Sequence, residues 1–451
     1  LDLHEGRTVN AVTAVVRRLF AGHDFIRLGG AMAGARGLAV LTGIALSVLL
    51  ARSLGAEGYG YYLFALTIAQ ILAMPVLAGL PTLVTRQTAV YHVQADWPRL
   101  RGIIRWSFGF VAVSAGVIAV LGAMYFALSG YSPEIMGVVN LLALPLVIAL
   151  AFMHVVSAIL RGFEHVFLGS LPDGLIRPVL LLAFVGVAVL LGVLTPALAM
   201  GLHVAAACLA AGWAVWVWLR YRPVAATGSA LSRPRFETRV WLASLLPLAL
   251  ITAAATINSR LDIFMLGILT DKESVAVYGL AFQIAGVVAI GQTIIYSISA
   301  PRIARMWEAG ARTELRDLVS TASRLSFAIA LVGIFGLGLL GPSAVPWLVG
   351  EEYGGTIVLA VIISLGILFS SAMGPAAVAL NMSGHDRIVF RATALMAAVN
   401  TILNFLLIPP FGPEGAAIAS VGSLLVYHLI CVKAAFQVLA LNTTLVQKIQ
   451  R

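Results

Sequence analysis

The chain has 451 residues, of which 61% are hydrophobic and 11% charged, and its formal net charge is +10. A water-soluble domain needs far more polar surface than that. Apolar runs recur along the whole length, each about the 20 residues a helix needs to span hydrocarbon, so the expected fold is an all-α polytopic membrane protein. In a soluble chain so much positive charge would suggest nucleic acid. Here the basic residues fall in short loops between apolar runs, where orientation in a membrane puts them, and no nucleic-acid partner is expected.

Residues 1–30 lack a continuous apolar core and a cleavage pattern, so no signal peptide is expected there. Val12, Val15, Val16, Leu19 and Phe20 share one helical face with Arg17 and Arg18 beside it, which reads as an amphipathic surface helix; a frayed tail is the alternative. Twelve spans follow, near 31–52, 59–84, 106–128, 136–159, 174–194, 197–219, 241–269, 275–300, 325–348, 356–381, 388–409 and 414–438. Cys208 and Cys431 lie inside spans, which argues against a disulfide framework.

The connecting loops alternate in charge. One set carries Arg86, Arg99, Arg101 and Arg105, then Arg161, then five arginines within 220–239, then Arg302, Arg305, Arg312 and Arg316, then Arg387. The other carries Glu57, Glu134, Asp271, Lys272, Glu273, Glu351, Glu352 and Glu414. By the positive-inside rule the first set faces the cytoplasm, as do both termini, in a bacterial cytoplasmic membrane. Residues 220–240 form the longest polar segment between spans, midway along the chain. The expected organisation is therefore an N-terminal segment (1–30), a six-helix bundle (31–219), a cytoplasmic linker (220–240), a second six-helix bundle (241–438) and a cytoplasmic tail (439–451).

The halves resemble each other weakly. "LGAEGYGYYLFALTIA" (54–69) runs parallel to "TDKESVAVYGLAFQIA" (270–285), which aligns Tyr62 with Tyr278. A second pair is "RGFEHVFLGSLPDGLIRP" (161–178) and "SGHDRIVFRATALMAAVN" (383–400). Halves in parallel order imply a pseudo-two-fold axis along the membrane normal, with a substrate site between them.

No HExxH, CxxC or GxxxxGK[ST] motif occurs, so no catalytic residue, metal site, cofactor or ATP hydrolysis is expected. The informative residues are instead the charges inside spans, each costing about 2.5–3.5 kcal/mol at a helix centre. "INSRLDIFMLG" (257–267) in span seven carries Asn258, Arg260 and Asp262. Arg260 is two positions from Asp262, so the two point to different sides of a helix. It lies about 13 Å of helical rise below the outer end, either facing a cavity that attracts an anion or pairing with another helix. Arg36 in span one and Arg177 in span five lie near the inner ends of their spans. Each is either a second ligand or a side chain that snorkels to the surface. Arg52 stands at the outer end of span one. Asp262 is the one deep acid; with Asn258 it could hold H⁺ or Na⁺ and couple an ion gradient, the alternative being structural pairing.

Three stretches carry a family resemblance: "LLARSLGAEGYGYYLFALTIAQILAMPVLAGLPTLVTR" (49–86), "RLDIFMLGILTDKESVAVYGLAFQIAG" (260–286) and "NTILNFLLIPPFGPEGAAIASVGSLLVY" (400–427). They resemble the polysaccharide-type flippases, O-antigen flippases among them, of the multidrug/oligosaccharidyl-lipid/polysaccharide exporter superfamily. That resemblance implies two six-helix bundles around a V-shaped cavity and alternating access. It implies translocation of a polyprenyl-pyrophosphate-linked oligosaccharide to the outer leaflet for cell-surface polysaccharide or lipopolysaccharide synthesis. The partners it implies are the lipid-linked oligosaccharide, membrane lipid, and a polysaccharide polymerase with its chain-length proteins. Arg260, Arg36, Arg177 and Arg52 suit the pyrophosphate, since arginine binds phosphate oxygens in pairs; Asn258 and Gln283 suit the sugar. An ion-coupled multidrug or cation exporter of the same superfamily would want acids in its cavity. A membrane polymerase or ligase would want a large outer loop. This chain offers arginines instead, with one aspartate, and no large outer loop.

Overall fold

The computed structural model describes residues 23–77, 79–128, 135–222 and 233–446. The expected surface helix around Val12–Phe20 and the middle of the linker lie outside the described residues, as do the side chains of Arg36 and Asn258. The described elements are helical. In chain order they are α1 (His23–Leu77), α2 (Leu80–Val93), α3 (Trp97–Leu128), α4 (Ile135–Gly162), α5 (Val166–Leu190) and α6 (Pro196–Tyr221). After the linker come α7 (Thr238–Leu269), α8 (Lys272–Glu308), α9 (Arg312–Val349), α10 (Thr356–Met373), α11 (Ala376–Met382) and α12 (Asp386–Leu439).

Nine of the described helices are long and apolar enough to cross a membrane. Two of these are folded pairs. Gly55 (φ 69°) turns α1 back on itself and Gly412 (φ 58°) does the same for α12. A positive φ of that size is cheap for glycine alone. With α7 added, the count of crossing arms agrees with the twelve expected. They form two six-helix bundles, α1–α6 and α7–α12.

Each bundle has its own apolar core. Leu80, Leu83, Ile103, Met153 and Ile159 are buried in the first; Val319, Ala379, Leu380 and Ala435 are buried in the second. Large apolar side chains also cover the outside, with Leu190 88% exposed and Phe335 and Leu339 both 76% exposed. In water that surface would be a liability; in hydrocarbon it is the solvated face.

The helix starts carry the usual signals. Thr195 accepts the Leu198 N–H at 3.2 Å, with Pro196 in the first turn of α6; Asp271 accepts the Ser274 N–H at 2.7 Å at the start of α8. One expected boundary is corrected. Span five begins at Val166, not 174, and passes through a π-helical turn at Pro172–Ile176. Arg177 is therefore near the middle of its span, about 16 Å of rise from the start, too deep to snorkel comfortably.

The bundles meet most tightly at the end carrying the acidic loops. There the Glu352 carboxylate accepts the Ala56 N–H at 3.1 Å, just past the Gly55 turn, and the Tyr353 hydroxyl donates to the Ala51 carbonyl at 3.2 Å. Lys272 stands 4.1 Å from the centre of the Phe64 ring and donates to the Gly267 carbonyl. At the arginine-loop end the first bundle holds the entrance of α7. Arg99 pairs with Glu237 at 2.8 Å, and the buried Trp241 indole donates to Tyr91 Oη at 3.2 Å.

Candidate functional site

The deepest polar groups form one cluster in each bundle. In the second bundle Asp262 is 6% exposed. Its Oδ1 accepts Asn404 Nδ2 at 2.6 Å and Asn400 Nδ2 at 3.0 Å. Its Oδ2 accepts the Tyr278 hydroxyl at 2.7 Å and the Ser420 hydroxyl. Asn400 and Asn404 are four apart on the first arm of α12, so helical geometry stacks them on one face; Ser420 comes from the second arm. The cluster needs α7, α8 and both arms of α12 together. Asn404 Nδ2 also donates to Asn400 Oδ1 at 3.1 Å, while Asn404 Oδ1 is buried without a hydrogen-bond partner among the described residues. Four neutral donors thus surround one carboxylate, and rotation of the amides would turn oxygens toward it.

In the first bundle Arg177 donates from Nε and Nη2 to Asp173 Oδ1, at 3.2 and 2.8 Å, and from Nη1 to His203 Nε2 at 2.7 Å. His203 Nδ1 lies 2.8 Å from the Tyr62 hydroxyl. The π-helical turn at Pro172–Ile176 sets Asp173 and Arg177 on one side of α5, the kind of irregularity that commonly marks functional positions. Guanidinium only donates, so Nε2 of His203 holds a lone pair and Nδ1 carries the hydrogen, donated to Tyr62.

Arg260 belongs to neither cluster. It is half-buried and makes no ion pair or hydrogen bond among the described residues. It stands close enough to Arg177 for the two positive charges to oppose each other. The two arginines, one from each bundle, are thus near enough to feel each other's charge, and among the described residues only Arg177 has a carboxylate beside it. Arg260 and Asp262, two apart in sequence, face different surroundings.

The other expected residues are not brought to this point. Arg52 is exposed at the acidic-loop end and donates to the Trp347 carbonyl at 3.4 Å. Gln283 lines an apolar cavity of about 340 Å³ with Ile44, Ser47, Val48 and Leu337, between α1, α8 and α9. Arg36 and Asn258 have no described side chains. Sequence reasoning missed Asn400, Asn404, Ser420 and Tyr278 as partners of Asp262, and Asp173, His203 and Tyr62 as partners of Arg177. A signal existed for the first set in two asparagines four apart within an apolar run. None existed for His203, since a lone histidine in a span is more often packed.

The sequence profile of a family described as polysaccharide biosynthesis protein matches residues 30–307, more than half of the chain. The probable flippase AglR of Haloferax volcanii is 26% identical over 182 residues, which is 39% of this chain and 37% of that protein. The chain thus aligns with little more than a third of that curated relative. An inward-facing multidrug resistance MATE family transporter of the MOP superfamily superposes with a TM-score of 0.74 at 13% identity, over 90% of this chain and 98% of that one. The lipid II flippase MurJ, in an inward closed conformation, gives a TM-score of 0.68 at 14% identity, over 91% and 87%. At such identities the two structures share the fold.

Proposed function

The chain belongs to the polysaccharide biosynthesis protein family, and from that premise we propose that it is a flippase for a polyprenyl-pyrophosphate-linked oligosaccharide. The cargo passes from the inner to the outer leaflet of the cytoplasmic membrane by alternating access. The observation that carries this reading is that Arg177 and Arg260, one from each bundle, lie near enough for their charges to interact, with no carboxylate on Arg260 among the described residues. Unpaired positive charge in hydrocarbon is costly, and a pyrophosphate headgroup supplies what it lacks. Arg36 and the sugar-facing Asn258 belong to the same proposed site; Gln283 and Arg52 lie on the cargo's path.

The arginine-loop end faces the cytoplasm in this reading. The tighter bundle contacts at the acidic-loop end then correspond to a state closed to the outside, ready to take cargo from within. Asp262 would couple the cycle to H⁺ or Na⁺. Its two oxygens, the orphaned Asn404 Oδ1, Asn400 Oδ1 and Ser420 Oγ are the hard donors such an ion takes. Because Asp262 is fully engaged inside its bundle, it offers no acid to a cationic cargo, which weighs against the drug-exporter alternative.

The experiment titrates purified wild type, Arg260→Lys and Arg260→Ala with a polyprenyl-pyrophosphate oligosaccharide, with a lipophilic cation as control. Saturable binding of the lipid-linked sugar, weakened most by the alanine, supports the reading. Binding of the cation alone, or lipid binding indifferent to both substitutions, refutes it.

A further inference from the structure

The two bundles carry their polar clusters at matching positions. Tyr62 and His203 touch across 141 residues of chain; Tyr278 and Ser420 touch across 142. Tyr62 and Tyr278 are the residues that the internal repeat aligns. Each tyrosine sits on the arm following the first turn of its bundle and meets the last arm of that bundle. Each cluster contains one carboxylate: Asp262 in the second bundle, Asp173 in the first. In the second bundle the carboxylate is surrounded by neutral groups. In the first, Arg177 is its counter-ion, and a histidine stands directly behind the arginine.

That arrangement is charge-balanced as it stands, and binding one proton would balance it again after Arg177 leaves. With Arg177 in place, Asp173 is neutralised by guanidinium, and His203 must keep Nε2 unprotonated to accept Nη1. If Arg177 swings toward an anion in the cleft, Asp173 loses its cation and Nε2 its donor. A proton arriving on Nε2 restores both: the imidazolium is the new counter-ion, and Arg177's charge has moved to the anion. The groups facing His203 are consistent with this exchange. From α5 come Arg177 and Asp173, and from α1 come Tyr62 with Tyr59 stacked against it. On α4, behind Asp173 and Arg177 rather than against His203, His154 feels the charges of Asp173, Arg177 and Arg161, and Arg161 is tied to the Gly169 carbonyl at 3.1 Å. From the other bundle Arg260 repels Arg177, so Arg177 moves that way only when an anion lies between them and attracts both.

We infer that His203 and Asp173 form a proton-binding site in the first bundle, filled when an anionic headgroup draws Arg177 into the cleft. The inference rests on the anionic-cargo reading, and it makes proton uptake and cargo binding one linked event on this side of the molecule. Its ligand is the proton, and its reporter is Arg177. The site is distinct from the Asp262 cluster, which has no basic residue in contact with it among the described residues.

Linkage fixes the sign. Binding that takes up one proton is tighter at low pH, and affinity falls by up to about tenfold per pH unit as pH rises. The test uses the full chain in lipid nanodiscs, titrated with a polyprenyl pyrophosphate from pH 5.5 to 8 in weak buffer with a pH-sensitive dye. Wild type should take up close to one proton per ligand. His203→Gln can still accept Arg177 through its amide oxygen but cannot be protonated. It should bind with a flat pH profile and no uptake, while His154→Gln keeps the slope. A slope that survives His203→Gln, or vanishes only in His154→Gln, overturns the assignment. A second arm needs no lipid: in protein labelled with ¹⁵N-histidine, the signal missing from His203→Gln is followed against pH. In Arg177→Gln its protonation should move to higher pH than in wild type. An unmoved titration refutes the proton site whatever the lipid does. A moved titration in a protein that binds no lipid pyrophosphate keeps the proton site and removes the cargo reading instead.

Discussion

At Gly60 the first bundle lies against the backbone of the second, and a single methyl group there tests whether closure of the acidic-loop end is a real energetic state. A Cβ on Gly60 would lie 1.8 Å from the Lys272 carbonyl oxygen and 2.5 Å from its carbon, against the 3.4 Å at which ordinary contact begins. The obstructing atoms are backbone at the start of α8, so no side-chain rotation relieves the clash; the bundles have to part. Overpacking of this kind costs about 1–3 kcal/mol, and it falls only on the state in which α1 and α8 touch. A difference of that size shifts a two-state equilibrium by roughly 5- to 150-fold toward the form open at that end. Spin labels at Leu191→Cys and Glu273→Cys, in a chain with Cys208 and Cys431 replaced, report the separation by pulsed dipolar spectroscopy. Gly109→Ala is the control, since a Cβ there has nothing within 4 Å. Gly60→Ala should move population to the longer distance and Gly109→Ala should not. Identical distributions in the two variants would refute the closed-end reasoning.

Asp262→Asn should abolish any Na⁺-dependent rise in melting temperature, which a site bound at 100 times its Kd would supply with about 2.7 kcal/mol; a variant that still responds fully to Na⁺ and to pH rules out the coupling role. Tyr353→Phe removes one hydrogen bond between the bundles, worth about 0.5–1.5 kcal/mol. It should shift the same spin-label distances in the direction of Gly60→Ala but less far, and a shift toward closure would contradict the reading. Asp271→Ala removes the cap of α8 and should cost about 0.5–2 kcal/mol near neutral pH in chemical denaturation. The Ser274 backbone N–H holds the Asp271 carboxyl below its usual value, so the cap's charged contribution is present above the unfolded pKa and fades as pH falls through the folded one. The gap between wild type and Asp271→Ala should therefore narrow in acid; a constant gap would assign the effect to something other than the carboxylate.

The membrane-spanning class, the number of crossing arms and the position of Arg260 along its helix were legible in the chain alone. Each follows from a local quantity: the length of an apolar run and the distance of a charge from its end. Internal similarity aligned Tyr62 with Tyr278, and the structure gives that alignment its meaning, because both hydroxyls reach the polar centre of their own bundle. The span holding Arg177 was misjudged because Asp173 and His165 interrupt the hydropathy there. Inside the bundle Arg177 satisfies Asp173, so the helix continues through the interruption. The partners of Asp262 were beyond sequence reasoning for a related reason. They lie 16, 138, 142 and 158 residues away, and only the packing of α7 against α8 and both arms of α12 brings them together. Periodicity decides which residues share a helix face. Which faces meet is decided by tertiary packing, because a buried carboxylate is tolerated only where several helices can bring donors to it at once.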